Sequence, residues 1–407
     1  MHLLFDEQSH TAMLEKARNA IHLFVAWLGR YGEISLDQYD FWACPLGRWA
    51  KALYYRNKIL GAPAVAPFVL LDTFAPASRK IVRSRQRFAI ADAHYAMGFF
   101  ALAEAEKDNQ WVQRGQVFLN ALQRERCRGF ARYCWGYPFN WETCFGTFPG
   151  DTPLITTTPY GYEAFEVGYE STGNEEYLRI MESVGAFAFE SLVDVEVSPG
   201  AFACSYTPYD RRRVVNASAY RGFLLASAGQ RFGHADWLAK ARGNLAFVLQ
   251  SQQKDGSWLY AMDGKDQFVD NFHTCFVLKN LFKAWKILRG PALLDAIRSG
   301  YRFYKTHLLD QDGQPIPYAR AQRMTLYTRE LYDYAEGINL ALLLFDTDSE
   351  APDILDRLVA GLLRDWVLSD GHFATRESRL GFTRVPYHRW AQSQTFRALA
   401  LYCATKA

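Results

Sequence analysis

ADWLAKARGNLAFVLQSQ (235–252) and FVDNFHTCFVLKNLFKAW (268–285) are two helix-length runs of opposite character, and the contrast between them decides the fold. In the first, Trp237, Leu238, Ala241, Leu245, Val248 and Leu249 fall on one stripe, with Lys240 and Arg242 on the other side. That is a helix with one face on a core and one in water. In the second, small residues separate large ones on most faces, as in a helix packed on all sides. The expected product is an outer helix followed by an inner one.

The same pair recurs about every 55 to 70 residues. Amphipathic runs begin at Thr11, Gln110, Glu175, Ala235, Pro291 and Pro352, and nearly apolar ones at Arg87, Thr157, Arg213, Phe268, Thr328 and Tyr387. Six hairpins predict one all-α domain over 1–407, an (α/α)6 toroid with inner helices ringed by outer ones. Polar residues gather in the first turns of the inner runs and so converge on one mouth of the barrel. The loops 198–210, 255–263, 312–320 and 370–377 carry Gly turn signals followed by alternation, and predict short β-hairpins at that rim. Only the stretch at about 35–86, with Pro45, Pro63, Pro67 and Pro76, breaks the period. It is expected to cross the barrel end, with no structure assigned.

Composition narrows the function. Lys and Arg are dispersed and the formal charge is only +3 over 407 residues, which argues against a nucleic-acid partner. No apolar run is long enough to span a bilayer, and the N-terminal MHLLFDEQSH lacks signal-peptide features, so a cytoplasmic location is expected. Seven cysteines without CxxC or Cys/His spacing read as buried reduced thiols, with no metal and no cofactor expected. The aromatic fraction of 15%, with 23 Tyr and 11 Trp, is high and asks for a purpose.

Five constellations supply candidates. WGYPFNWETCF (135–145) offers Trp135, Tyr137, Trp141 and Glu142, with Tyr160 and Tyr162 following. Aromatic faces suit the C–H faces of sugar rings, and carboxylates bond their hydroxyls. SYTPYDRRRVVNASAY (205–220) adds Tyr209, Asp210, Arg211, Asn216 and Tyr220, a setting for an acidic sugar or simply a solvated loop with helix-start groups. MDGKDQFVDNFHT (262–274) is densest: Asp270 and His273 lie at i,i+3, where a carboxylate can orient a histidine base, and Asn271 sits between them. A core histidine bonded to a neighbouring helix is the competing reading. LYDYAEGIN (331–339) presents Asp333, Tyr334 and Glu336, and VPYHRWAQSQ (385–394) presents His388 and Trp390, for which stacking and packing weigh equally.

The alternation of outer and inner helices with an aromatic rim resembles the six-hairpin glycosidase-like superfamily of glycoside hydrolases, sugar epimerases and polysaccharide lyase toroids. TPLITTTPYGYEAF (152–165), SYTPYDRRRVVNASAYRGFLLASA (205–228) and LQSQQKDGSWLYAMDGKDQFVDNFHTCFVLKNL (249–281) look like proteins of bacterial exopolysaccharide and surface-glycan clusters. The resemblance implies an oligo- or polysaccharide partner, neutral or anionic, and leaves association with other glycan-assembly proteins open. RGNLAFVLQSQQKDGSW (242–258), with Gln252 and Trp258, also resembles the QW staple of triterpene cyclases, but no Asp-rich element accompanies it.

The leading expectation is glycoside hydrolysis by two carboxylates among Glu142, Asp210, Asp270, Asp333 and Glu336. A lyase or uronate epimerase comes next, with His273 or a tyrosine as base and Asn216 with an arginine steadying the enediolate. A non-catalytic glycan-binding toroid and an isoprenoid toroid follow.

Overall fold

The computed structural model describes residues 2–322 and 325–406. The chain opens with α1 (His2–Tyr31), the first outer helix. The aperiodic stretch is itself helical, comprising α2 (Asp40–Ala43), α3 (Pro45–Arg56), α4 (Lys58–Phe74) and α5 (Arg79–Val82). The first inner helix, α6 (Ala89–Glu106), follows.

From there outer and inner helices alternate strictly: α7 (Asn109–Arg124) and α8 (Thr158–Thr172), α9 (Glu175–Glu190) and α10 (Val215–Phe232), α11 (Ala235–Gln250) and α12 (Asn271–Leu288). The last two pairs are α13 (Pro291–His307) with α14 (Leu331–Leu344), and α15 (Ala351–Asp365) with α16 (Ser393–Lys406). The inner helices form a closed ring, α6 on α8, α10, α12, α14 and α16 in turn, with α16 back on α6. The outer helices lean on that ring, and α1 closes it against α15 and α16. This is the expected (α/α)6 toroid.

Local chemistry sets the boundaries. Asp108 caps α7 by accepting the Gln110 N–H at 2.9 Å, Asn174 caps α9 through Glu176 at 3.0 Å, and Pro291 occupies the first turn of α13, where it costs no hydrogen bond. The core is Leu, Phe, Ala and Tyr from both rings, with aromatics locked onto helical glycines. The Trp135 ring fills the space a Cβ would need at Gly161, and Trp258 does the same at Gly300.

The loop that follows an outer helix repeats one turn three times. Gln253 N–H donates to Ser257 O at 2.8 Å, Asp310 to Gln314 at 2.8 Å and Leu368 to His372 at 2.9 Å, and the turns carry Gly256, Gly313 and Gly371 at φ of 94°, 76° and 103°. Only glycine enters that region freely.

Among the described residues nine short strands line the same end: β1 (Trp141–Thr143) with β2 (Gly146–Phe148), β3 (Asp194–Ser198) with β4 (Ala201–Cys204), β5 (Val269–Asp270) with β6 (Tyr318–Arg320), and the sheet β7 (Tyr327–Glu330), β8 (Arg376–Ser378), β9 (Gly381–Thr383). All pairings are antiparallel. β5 and β7 each pair with a strand from the following repeat's loop, so neighbouring inner helices start from a shared belt. The expected hairpin inside each loop is thus replaced, in two cases, by pairing between loops.

Candidate active site

At the belted end lies a cavity of about 300 Å³. Every member of the inner ring reaches it from its N-terminal part: Ile90 of α6, Tyr160 of α8, Asn216 and Tyr220 of α10, Phe272, His273 and Phe276 of α12, Tyr332 of α14, and Arg389 and Trp390 from the π-helical turn ahead of α16. The β1 turn adds Trp141, Glu142, Thr143 and Cys144, and α3 adds Lys51 and Tyr55. Fourteen of the twenty-five lining residues are Phe, Tyr or Trp, so most surfaces offered to a ligand are flat and weakly polar.

Titratable groups are few and individually held. His273 Nδ1 lies 2.7 Å from Asp270 Oδ2, and the other Asp270 oxygen accepts the His273 backbone N–H at 3.2 Å. One carboxylate therefore both caps α12 and fixes the imidazole. Asp270 is 2% exposed and the His273 side chain 21%, so the charge sits behind the ring that faces the cavity. Tyr260 meets that ring edge-on at 4.7 Å, and Phe276 does so at 5.5 Å. With Nδ1 engaged, Nε2 is the nitrogen left for a ligand.

Arg389 donates to both oxygens of Asp37 at 2.7 Å and lies 4.6 Å over the Tyr137 ring. Arg212 reaches Asp263 at 3.0 Å and Asp266 at 2.9 Å. The Glu142 carboxylate accepts from Thr147, and its backbone oxygen accepts from Tyr39 at 2.8 Å. The phenols of Tyr160 and Tyr220 lie 2.7 Å apart. Burial pushes Tyr160, Tyr206, Tyr220 and Tyr332 well above the ordinary phenol range, so these side chains are protonated donors at neutral pH. Among the described residues, no three His, Cys, Asp or Glu gather as metal ligands would.

Glu142, His273, Tyr137, Trp141, Tyr160, Asn216, Tyr220 and Trp390 line the cavity together. The other candidates stand elsewhere. Asp210 turns its loop back on itself, accepting the N–H groups of Tyr206, Thr207 and Arg212. Glu336 is fully buried against Lys279, and Asp333 is 1% exposed below the cavity. Burial, then Glu330 and Asp270 nearby, push the Asp333 carboxyl well above its usual range. Asp270 acts from behind His273 instead of facing the cavity. The expected pair of facing carboxylates is thus reduced, among those five, to Glu142.

Several expected sugar-stacking residues are core. Trp135 donates its indole N–H to Leu122 O at 2.8 Å, and Trp258 donates to Val248 O at 2.9 Å. Tyr162 bonds Ser227 at 3.1 Å and Tyr334 bonds Gln314 at 3.0 Å. Two residues along a helix rotate a side chain by about 200°, so Tyr160 and Tyr332 face in while Tyr162 and Tyr334 face out. Asn271 donates to Leu308 O at 2.8 Å, tying α12 to the end of α13. His388 bonds Tyr95 at 2.6 Å through Nδ1 and Gly32 O at 3.0 Å through Nε2. Tyr209 and Arg211 are exposed outside the cavity, and the neighbouring Arg212 takes the arginine position. Six of the seven cysteines are buried as expected, but Cys144 is half-buried on the cavity wall.

Sequence reasoning missed Tyr39, Lys51 and Tyr55, which come from the unassigned stretch, and Tyr260, Phe268 and Phe272 from quoted runs.

No family model matches the sequence, and no curated protein does either. Solved structures do match. A cellobiose 2-epimerase from Bacillus thermoamylovorans B4167 superposes with a TM-score of 0.63 at 10% identity, over 79% of this chain and 88% of that one. A GH76 alpha-mannanase of Bacteroides thetaiotaomicron gives 0.58 at 11% identity, over 77% and 85%. The unsaturated glucuronyl hydrolase of Bacillus sp. GL1 gives 0.58 at 14%, over 76% and 85%. The chain has the (α/α)6 toroid fold of these structures. At these identities the likeness is one of architecture, and the toroid's chemistry has to be argued from its own cavity.

Proposed function

We propose that this toroid is a sugar-acting enzyme whose central step is a proton transfer at a sugar carbon, as in an epimerase or a lyase, with His273 as the group that moves the proton. The observation that carries this reading is the Asp270–His273 pair, 2.7 Å apart, with its carboxylate buried and its ring on an aromatic cavity. A carboxylate behind Nδ1 fixes the tautomer that leaves Nε2 as the base and stabilises the imidazolium formed. The carbon acid is one made labile by an adjacent carbonyl or carboxylate. Asn216 lines the cavity and shares a small void with His273, where its side-chain N–H groups could donate to an oxygen of the enediolate. Arg212 and Arg389 reach the wall as N–H donors for sugar oxygens, with their charges matched by Asp263 and Asp266 and by Asp37.

The fold supports the sugar class, because the similar solved structures carry names of an epimerase, a mannanase and a glucuronyl hydrolase. Hydrolysis is the second reading, and Glu142 with Asp266, both on the cavity, supports it. Surface glycans or their precursors remain the proposed setting.

Incubation with reducing and uronate-containing oligosaccharides, followed by mass spectrometry and NMR, tests the choice. Inversion at carbon, or cleavage that leaves an alkene, is the expected outcome. Cleavage with uptake of water would move the assignment to hydrolysis, and no turnover or binding of any sugar would remove it.

A further inference from the structure

The stretch that joins α1 to α6 carries a surface that no toroid helix covers among the described residues. Eleven of the twenty large apolar side chains exposed among the described residues lie between Leu46 and Val82, although that stretch is 37 of 407 residues. Ile59 is 84% exposed, Ile81 80%, Leu46 71% and Trp49 61%. Along α4 the exposed Ile59, Pro63, Ala66, Leu70 and Phe74 form one stripe at helical spacing, and the only buried residue of the helix is Gly61, pressed on Tyr54 of α3. α4 packs mainly on α3, and only lightly on α2 and the 76–78 turn. A soluble surface rarely leaves so much contiguous apolar area open without a use.

The charge around it names the partner. From Pro45 to Arg85 the sequence holds eight Lys or Arg and one acid, Asp72, and that acid is paired to the buried Arg79. Arg56 and Lys58 lie exposed at one end of α4, and Lys80 and Arg85 beyond the other. Trp49 and Tyr55 stand exposed on α3. An apolar stripe flanked by cations and by Trp and Tyr is the composition of a helix lying in the headgroup layer of an anionic bilayer. No single helix among the described residues is long and apolar enough to cross one; α4 and the following 76–82 segment together have the length and composition of a span, but the 110° bend between them favours lying along the surface. At 17 residues α4 is about 25 Å long, short of the roughly 30 Å hydrocarbon core.

We infer that α3–α5 is an interfacial anchor that seats the toroid on an anionic membrane surface. Because α3 also gives Lys51 and Tyr55 to the cavity wall, the anchor holds the cavity mouth beside the lipid headgroups. This inference stands without the proton-transfer reading, since its test contains no sugar.

The test is flotation of the full chain with vesicles of phosphatidylcholine alone or of equal parts phosphatidylcholine and phosphatidylglycerol. The chain is expected to float with the mixed vesicles, less so at high salt, and to stay at the bottom with phosphatidylcholine. Ile59→Glu and Phe74→Glu, at exposed sites where the fold tolerates charge, each lower the partition by about tenfold or more, with circular dichroism unchanged. Flotation that ignores lipid charge and both substitutions overturns the inference. So does a dimer in sedimentation equilibrium that the same substitutions dissociate while flotation is absent, which would make a second copy the occupant. Absence of both effects also overturns it and leaves a protein partner as the cover.

Discussion

His273, in the first turn of α12, and His388, in the π-helical turn that leads into α16, stand at corresponding ends of two inner helices, and each has its Nδ1 in a hydrogen bond. Their surroundings divide them. His273 has a carboxylate behind it and a cavity in front. His388 has Tyr95 on one nitrogen and the Gly32 carbonyl on the other, and is fully buried. Its Nδ1 accepts from the phenol while Nε2–H donates to the carbonyl, so the neutral ring is the one the fold selects. The lesson is that a histidine at the mouth of a toroid becomes chemically available only where one nitrogen is left open and the other is fixed by charge.

The sharpest way to break the comparison is to remove each ring. His273→Gln is expected to lower turnover by about a thousandfold with a smaller loss of stability than His388→Gln, because the amide can still donate to the buried Asp270 oxygen but cannot act as acid and base. His388→Gln is expected to do the reverse, costing about 2–4 kcal/mol of stability through its two buried hydrogen bonds, with turnover per folded molecule retained. Thermal melts beside kinetics of the two variants separate these outcomes, and equal losses in both would dissolve the distinction.

Acid sharpens it further. Burial lowers the His388 pKa to about 3, so the unfolded chain binds this proton more readily than the folded one. The contribution is complete above the unfolded value near 6.5 and is lost as pH falls from there towards 3, by up to about 1.4 kcal/mol per unit. Buried carboxyls held at about 7, Asp40 and Asp92, run in the opposite sense, since the folded chain keeps their protons. Denaturant midpoints from pH 4 to 7 should therefore fall more steeply with acid in the wild type than in His388→Gln. Parallel curves would show that His388 does not stay neutral.

Asp270→Asn keeps an acceptor for the α12 cap but removes the charge behind His273. A loss of about tenfold to a hundredfold in turnover with a changed pH profile and a small change in stability is expected. A large drop in stability alone would make Asp270 a cap and no more. The smallest effect belongs to the wall: Trp390→Ala should raise KM several-fold with less effect on kcat, as the loss of one stacking face implies.

The toroid itself was legible in the sequence because its signal is repeated six times, and periods of apolar residues report burial directly. Asp270 and His273 were legible too, since i,i+3 spacing is a local fact. The remaining misreadings have one cause. Runs such as YGYEAF and LYDYAEG read as rim along their whole length, whereas a helix sends neighbouring side chains in different directions: Tyr160 and Tyr332 enter the cavity, and Tyr162, Tyr334 and Glu336 do not. Asp210 and Asp333 failed for a non-local reason, because only the folded chain decides whether a carboxylate meets backbone N–H groups, a cavity or a closed interior. The stretch at 35–86 hid its helices because prolines inside α4 and its uniform apolarity erase the amphipathic period.

The account stands most directly on proton exchange at the sugar carbon. In D2O, with a reducing or uronate sugar that the wild type binds, NMR should show deuterium entering at the carbon next to the carbonyl or carboxylate, with His388→Gln still active and His273→Gln silent. Exchange that survives His273→Gln, or oxygen from labelled water entering a cleaved product in a reaction stopped by Glu142→Gln, would contradict it.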